Sequence, residues 1–314
     1  MFVINKLFKS IGRRLAVCLL KYSTMEKVLE SELVLAPDGS LYHIHLTGDT
    51  LADDVLLVGD PKRVDMFKTI FDRVECEHES RELHSLTGWY GGHRYTALST
   101  GMGTDNIDIV MTELDACANM DLVTRKPKAE HRRLNIVRIG TSGSLHAEID
   151  CGELVASRYA IGLDGLLNYY EHGDDCMAMD LQHSFVDHMR LPADMATPYA
   201  VSCDEGLLQR VAQGLHHGIT ATAPGFYAPQ GRHVRIAPRV ADLNERLQCF
   251  SYGDYKITNF EMECSAIFGL SKVMGHSALT VCLIIANRET GRFLNEYHQR
   301  MRDTLALVME RMAE

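Results

Sequence analysis

The chain has 314 residues, of which 46% are apolar and 24% charged, and a formal net charge of -10. This is an ordinary globular composition, long enough for one large α/β domain or two smaller ones. The negative balance excludes a generic nucleic-acid or anionic-membrane surface, since both require a concentrated positive field; any bound anion must be held by a few local arginines.

The nine cysteines include no C-x-x-C pair. Scattered through apolar segments, they read as reduced thiols, and the expected location is the cytoplasm. Residues 1 to 24 place Lys6, Lys9, Arg13, Arg14 and Lys21 among Phe2, Leu7, Phe8, Leu15 and Leu19. The stretch lacks the apolar run of about 20 residues that a transmembrane helix needs. A targeting peptide or membrane-surface helix would fit it, but a loosely attached extension is expected because Met25 opens a more acidic sequence. Residues 25–314 are expected to form a single domain.

At 41–47, His43 and His45 share one face of an extended segment, but no third ligand follows with metal spacing, so no metal is expected. A strand at 55–58 ends in Gly59-Asp60-Pro61-Lys62-Arg63, where Asp60 caps a helix with Pro61 in its first turn. A glycine turn into a helix start is a natural anion site, with Arg63 one turn in, although ordinary caps share this composition. Residues 79–83 begin a hairpin whose later strands, 89–90 and 93–99, join through Gly91 and Gly92. Thr100-Gly101-Met102-Gly103 leads to a helix at 107–119 without the last glycine of a dinucleotide fingerprint. Residues 124–133 form a basic polar loop.

The stretch 134–145 organises the rest. Ile136, Val137 and Ile139 read as a strand buried on both faces. Arg138 lies inside that run, and an arginine cannot shed its charge, so an anion or carboxylate must await it. Gly140, Thr141, Ser142 and Gly143 add backbone amides and hydroxyls at the strand's carboxyl end, where open α/β sheets hold ligands. This is half of an anion pocket; a structural Arg–carboxylate pair followed by an ordinary turn is the alternative.

A strand at 149–160, an irregular polar region at 164–197, a helix at 205–215 and a strand at 218–222 follow. Phe226, Tyr227, Gln230 and Arg232 then offer a face for a flat ring and an amide and guanidinium for its edge, though a plain surface loop explains them nearly as well. A helix is expected over 258–274, with Thr258 and Glu261 as a capping box. Glu263 falls on its apolar stripe with Phe260, Ala266, Ile267 and Leu270 and must find a buried partner. A strand at 279–286 ends in Asn287-Arg288, and a helix at 295–312 closes the chain. The alternation predicts an α/β domain with a mixed central sheet.

Gly59-Asp60-Pro61-x-Arg63, Arg138-Ile139-Gly140-Thr141-Ser142-Gly143, Phe226-Tyr227-x-x-Gln230-x-Arg232 and Asn259-Phe260-Glu261-Met262-Glu263 are specific in combination. From Leu41 onward the chain resembles the uridine phosphorylase branch of the nucleoside phosphorylase-I family. The resemblance implies a three-layer α/β/α sandwich with a mixed, partly barrel-like central sheet. It also implies reversible phosphorolysis of uridine to uracil and ribose 1-phosphate in pyrimidine salvage. It puts phosphate against Gly59, Arg63, Arg138 and Thr141, ribose against Glu261, Met262 and above all Glu263, and uracil against Phe226, Gln230 and Arg232. Arg63, Arg138, Arg232 and Glu263 would carry the chemistry. Arg81 would serve a neighbouring subunit's phosphate and His43 its ribose, which makes the expected protein a homo-oligomer, at least a dimer. No cofactor is implied, only inorganic phosphate as co-substrate. Glu82 resembles a potassium ligand of some bacterial relatives, but Asn106 replaces their serine.

Purine-cleaving relatives place an Asp where this chain has Asn287, which favours a pyrimidine. Three candidate phosphate arginines favour phosphorolysis over hydrolysis. A purine nucleoside phosphorylase or nucleosidase on the same scaffold is the alternative, and a non-catalytic nucleoside-binding protein a third reading. Ala228-Pro229 and the long loop at 124–133 depart from the bacterial pattern and are similar to dimeric animal-type enzymes.

Overall fold

The computed structural model describes residues 27–314, so the extension at 1–24 lies outside the described residues. Strand β1 (Asp54–Val58) is buried from its second residue onward. It leads into helix α1 (Pro61–Lys68), whose start is set twice: the Asp60 carboxylate accepts the Lys62 N–H, and Pro61 takes the first helical position. Strands β2 (Arg73–Ser80), β3 (Leu83–Tyr90) and β4 (His93–Ser99) follow as an antiparallel meander. Residues 79–83, expected to begin the hairpin, instead span the end of β2, a turn at Arg81 and Glu82 and the start of β3, with Arg81 in the left-handed region at φ 55°.

Helix α2 (Thr104–Asn119) precedes a small ribbon, β5 (Met120–Asp121) with β6 (Lys126–Pro127), inside the basic loop. Then come β7 (Asn135–Ser144), β8 (Leu154–Gly162), α3 (Met179–Met189), β9 (Tyr199–Ser202), α4 (Glu205–Val211), β10 (His216–Thr222) and α5 (Leu243–Cys249). The chain closes through β11 (Ser251–Tyr252), β12 (Tyr255–Glu261), α6 (Cys264–Met274), β13 (Ser277–Asn287) and α7 (His298–Ala313).

One sheet of eleven strands runs β11-β12-β10-β8-β13-β7-β1-β4-β3-β2, with β9 beside β8. Strand β12 also pairs antiparallel with β7 through Asn259 opposite Ser144 and Phe260 opposite Gly143. That second pairing closes β7, β13, β8, β10 and β12 into a barrel, while β1 to β4 continue as an open wing. The central strands β1, β7 and β13 are buried on both faces, which requires helices on both sides of the sheet. The result is the three-layer α/β/α arrangement with a partly barrel-like sheet that the resemblance implied.

Two local expectations fail for physical reasons. Residues 258–261 are not a helix: they extend β12, pairing in parallel with β10, Thr220 opposite Asn259 and Thr222 opposite Glu261. The capping-box pattern is a local signal, and burial between two strands overrides it. The Thr258 hydroxyl caps nothing and donates to Asn259 Oδ1 at 2.8 Å. The region 164–197, expected to be irregular, contains α3, held by Leu181, Phe185 and Met189 at a spacing of four.

Candidate active site

The ends of β1, β7, β12 and β13 and the start of α1 enclose a cavity of about 560 Å³. Gly59, Arg63, Arg138, Thr141, Phe226, Gln230, Arg232, Glu261, Met262 and Glu263 all line it. The two other nominated residues, His43 and Arg81, border a separate small crevice with Asn106; Glu82 touches both spaces. His43 Nδ1 is 2.5 Å from Glu113 Oε1, which holds the imidazole at the edge of that crevice.

Arg138 extends along β7 and is 4% exposed. Its guanidinium lies over Gly140, where a Cβ would sit 1.8 Å from Nη1, so only glycine leaves room for it. Nη2 donates to Glu263 Oε2. Nε and Nη1 are buried with no partner. The alternative of a purely structural ion pair therefore accounts for Nη2 and leaves the Nε and Nη1 nitrogens without an acceptor, a costly state for a buried cation. Burial works against the charge, but the Glu263 and Glu261 carboxylates outweigh it and hold Arg138 above its ordinary pKa.

Glu263 is not on a helical stripe. It precedes the first turn of α6, and its backbone carbonyl accepts the Ile267 N–H at 3.1 Å. The expectation that its carboxylate finds buried partners is met from another direction. Oε2 takes Arg138, and Oε1 accepts the N–H of Gly103 at 2.8 Å, where the chain turns into α2. Glu261, the last residue of β12, accepts from Thr222 Oγ1 at 2.6 Å, from Glu263 N at 2.8 Å and from Cys264 N at 2.9 Å. Burial, then the neighbouring Glu263 carboxylate, pushes Glu261 up to about 7.

At the other end, Arg232 Nη1 donates to Phe226 O and Gln230 Oε1, both at 2.5 Å, and its guanidinium lies 3.7 Å from the centroid of the Phe226 ring. Burial and the nearby Arg288 push Arg232 down to about 10. Sequence reasoning missed Arg288, whose Nη2 donates to Gln230 O at 3.3 Å while Nη1 is buried without a partner. Its position just after the last buried strand was the available signal. Ser142, part of the expected anion pocket, lines the cavity, and so do Met102, Ile285 and Phe293, to which no role was assigned. Asn287 does not reach it: Nδ2 donates to His146 O at 2.9 Å and Ile149 O at 3.0 Å, and Oδ1 accepts from Glu289 N and Thr290 N.

Asp115, His131 and His276 come together elsewhere with metal-like proximity. However, the Leu134 N–H donates to His276 Nδ1 at 3.2 Å, so Nε2 is the protonated nitrogen and faces Asp115. An N–H cannot ligate a metal, so this cluster reads as a contact between the buried His276 and the half-buried Asp115.

A uridine phosphorylase of Thermococcus kodakarensis is 28% identical to this chain over 86% of it and 85% of that protein. A DeoD-type purine nucleoside phosphorylase of Geobacillus stearothermophilus is 25% identical, covering 79% of this chain and 88% of that one. Among solved structures, a Trypanosoma brucei nucleoside phosphorylase described as showing uridine phosphorylase activity superposes with a TM-score of 0.75 at 26% identity, over 88% of this chain and 99% of that one. The sequence pattern of the phosphorylase superfamily matches residues 53–314, and the chain belongs to that superfamily.

Proposed function

We propose that the protein is a uridine phosphorylase, a pentosyltransferase that converts uridine and phosphate to uracil and ribose 1-phosphate. The observation that carries this reading is the convergence of Arg63, Arg138 and Glu263 with Phe226, Gln230 and Arg232 on one cavity, with Arg138 paired to Glu263 inside it. Phosphate would sit among Arg138, Arg63, Gly59 and Thr141. Glu263 and the Met262 backbone would hold the sugar, with Glu261 directly behind them. Phe226, Gln230 and Arg232 would hold the base.

In the reaction a phosphate oxygen forms a bond to the anomeric carbon as the bond from that carbon to N1 of uracil breaks, the electron pair leaving with the base. Positive charge grows on the sugar beside the phosphate, and negative charge grows on the pyrimidine beside Arg232 and Gln230. Donors already fixed by their own contacts stabilise that charge without reorganising. No cofactor is needed for this step. His43 and Arg81 lie outside the cavity on an adjoining crevice, a placement that suits delivery to a second subunit's site; we therefore read the enzyme as a homo-oligomer, cytoplasmic, with residues 25–314 as one domain.

The DeoD-type relatives support a second reading, phosphorolysis of purine nucleosides. Asn287, committed to backbone partners, offers no acid for a leaving purine. A panel of uridine, thymidine, inosine, adenosine and methylthioadenosine decides between them. Uridine turning over fastest supports the pyrimidine reading, and inosine or adenosine turning over faster overturns it.

A further inference from the structure

We propose, on the uridine phosphorylase reading, that Glu261 is a positioning residue and not a sugar ligand. With Thr222 it forms a buried cap on α6 that sets where Glu263 presents its carboxylate.

The first N–H groups of a helix have no partner within it. Here three consecutive ones are satisfied by one cross-strand pair. Thr222 and Glu261 end the adjacent parallel strands β10 and β12 in direct register. Glu261 Oε2 accepts from Glu263 N at 2.8 Å and from Cys264 N at 2.9 Å, while Oε1 accepts from Cys264 N at 3.0 Å. Ser265 N donates to Thr222 Oγ1 at 3.0 Å, and that hydroxyl in turn donates a hydrogen bond to Glu261 Oε1 at 2.6 Å. The ring is closed. Three donors already meet the carboxylate, the Cys264 N–H being shared between its two oxygens, and the residue is 4% exposed.

A carboxylate with its acceptor positions filled from inside the protein has little left for a ribose hydroxyl. The contrast with Glu263 is direct, because each of its oxygens has one protein partner and so retains a free acceptor position. Since the Glu263 N–H is itself a member of the cap, loosening the ring frees the backbone that aims the Glu263 side chain. Thr222 does not line the cavity and acts only through the ring.

The test uses Thr222→Val, which keeps the shape but loses the hydroxyl, and Thr222→Ser, which retains it, each alone and with Glu263→Gln. Thr222→Val should lower kcat/KM for uridine about tenfold, with KM for phosphate changed less than about twofold, and Thr222→Ser should restore activity. In the Glu263→Gln background the Thr222→Val loss should shrink to less than about twofold, because both changes remove the same positioning. A tenfold loss persisting in that background, or an unimpaired Thr222→Val enzyme, would overturn the proposal. Amide hydrogen exchange at Glu263, Cys264 and Ser265 reads the cap without any substrate: strong protection in the parent that falls in Thr222→Val is expected, and rapid exchange in the parent refutes it. An absence of nucleoside turnover in the parent would instead refute the functional reading, with the exchange result still deciding the cap.

Discussion

Gly140→Ala probes the anion pocket through its narrowest point. The new Cβ would lie 1.8 Å from Arg138 Nη1 and 2.9 Å from its Cζ. An ordinary carbon–nitrogen contact needs roughly 3.4 Å, so the guanidinium must retreat by more than 1 Å, which breaks its bond to Glu263. A displacement of about 1 Å in a positioning group typically costs on the order of 100-fold in rate, equivalent to about 2.7 kcal/mol of transition-state stabilisation. Because Arg138 and Glu263 are a buried pair, separating them should also lower Tm by several degrees. The assay is steady-state uridine phosphorolysis with a thermal melt alongside. Gly143→Ala on the same strand is the melting control, since its Cβ would meet nothing closer than 3.8 Å. A Gly140→Ala enzyme with unchanged kcat/KM would refute the claim that the Arg138 geometry matters.

Glu263→Ala should reduce uridine turnover by on the order of 1,000-fold while circular dichroism remains that of a folded protein; near-normal turnover would show that the sugar site lies elsewhere. Arg232→Ala should lower kcat/KM for uridine by about 100-fold and leave KM for phosphate nearly unchanged, and a fall in phosphate affinity would mean that the two ends of the cavity are reversed. Glu261 is pushed above its ordinary value of 4.5 to about 7, so the folded protein binds this proton more readily than the unfolded chain. Its contribution to stability is therefore whole below pH 4.5 and is lost as pH rises through about 7, on the order of 3 kcal/mol in all. Urea melts of the parent and of Glu261→Gln across that interval should show a shallower decline in the variant; parallel curves would contradict the assignment. Mixing Arg81→Ala with Glu263→Gln protomers after partial denaturation should regain activity that neither has alone, and no regain would argue against shared sites.

Much of the site was legible because its signals are local. Asp60 before Pro61 marks a helix start by its own chemistry, and an arginine inside Ile136–Val137–Ile139 announces an unpaid desolvation cost that requires an acceptor. What escaped depends on neighbours distant in sequence. Thr258 and Glu261 satisfy a helix-capping pattern, yet the pairing of Asn259 with Thr220 and of Glu261 with Thr222, 39 residues earlier, makes the segment strand. Gly140 looks like turn glycine until the Arg138 side chain is seen to lie across it. The Glu263 partner was expected, but Gly103 N as its second donor comes from an element 160 residues earlier. Arg288 gave no periodic signal at all, and its place beside the base end of the cavity rests on a contact with Gln230, 58 residues earlier.

Everything proposed for this cavity depends on inorganic phosphate, held by Arg138 and its neighbours, being the group that attacks the sugar. Following uridine cleavage by phosphorus NMR and uracil absorbance together, with and without phosphate, tests it most directly. Ribose 1-phosphate should appear in step with uracil, with negligible uracil when phosphate is left out. Uracil released equally fast without phosphate, or with free ribose as its co-product, would contradict it.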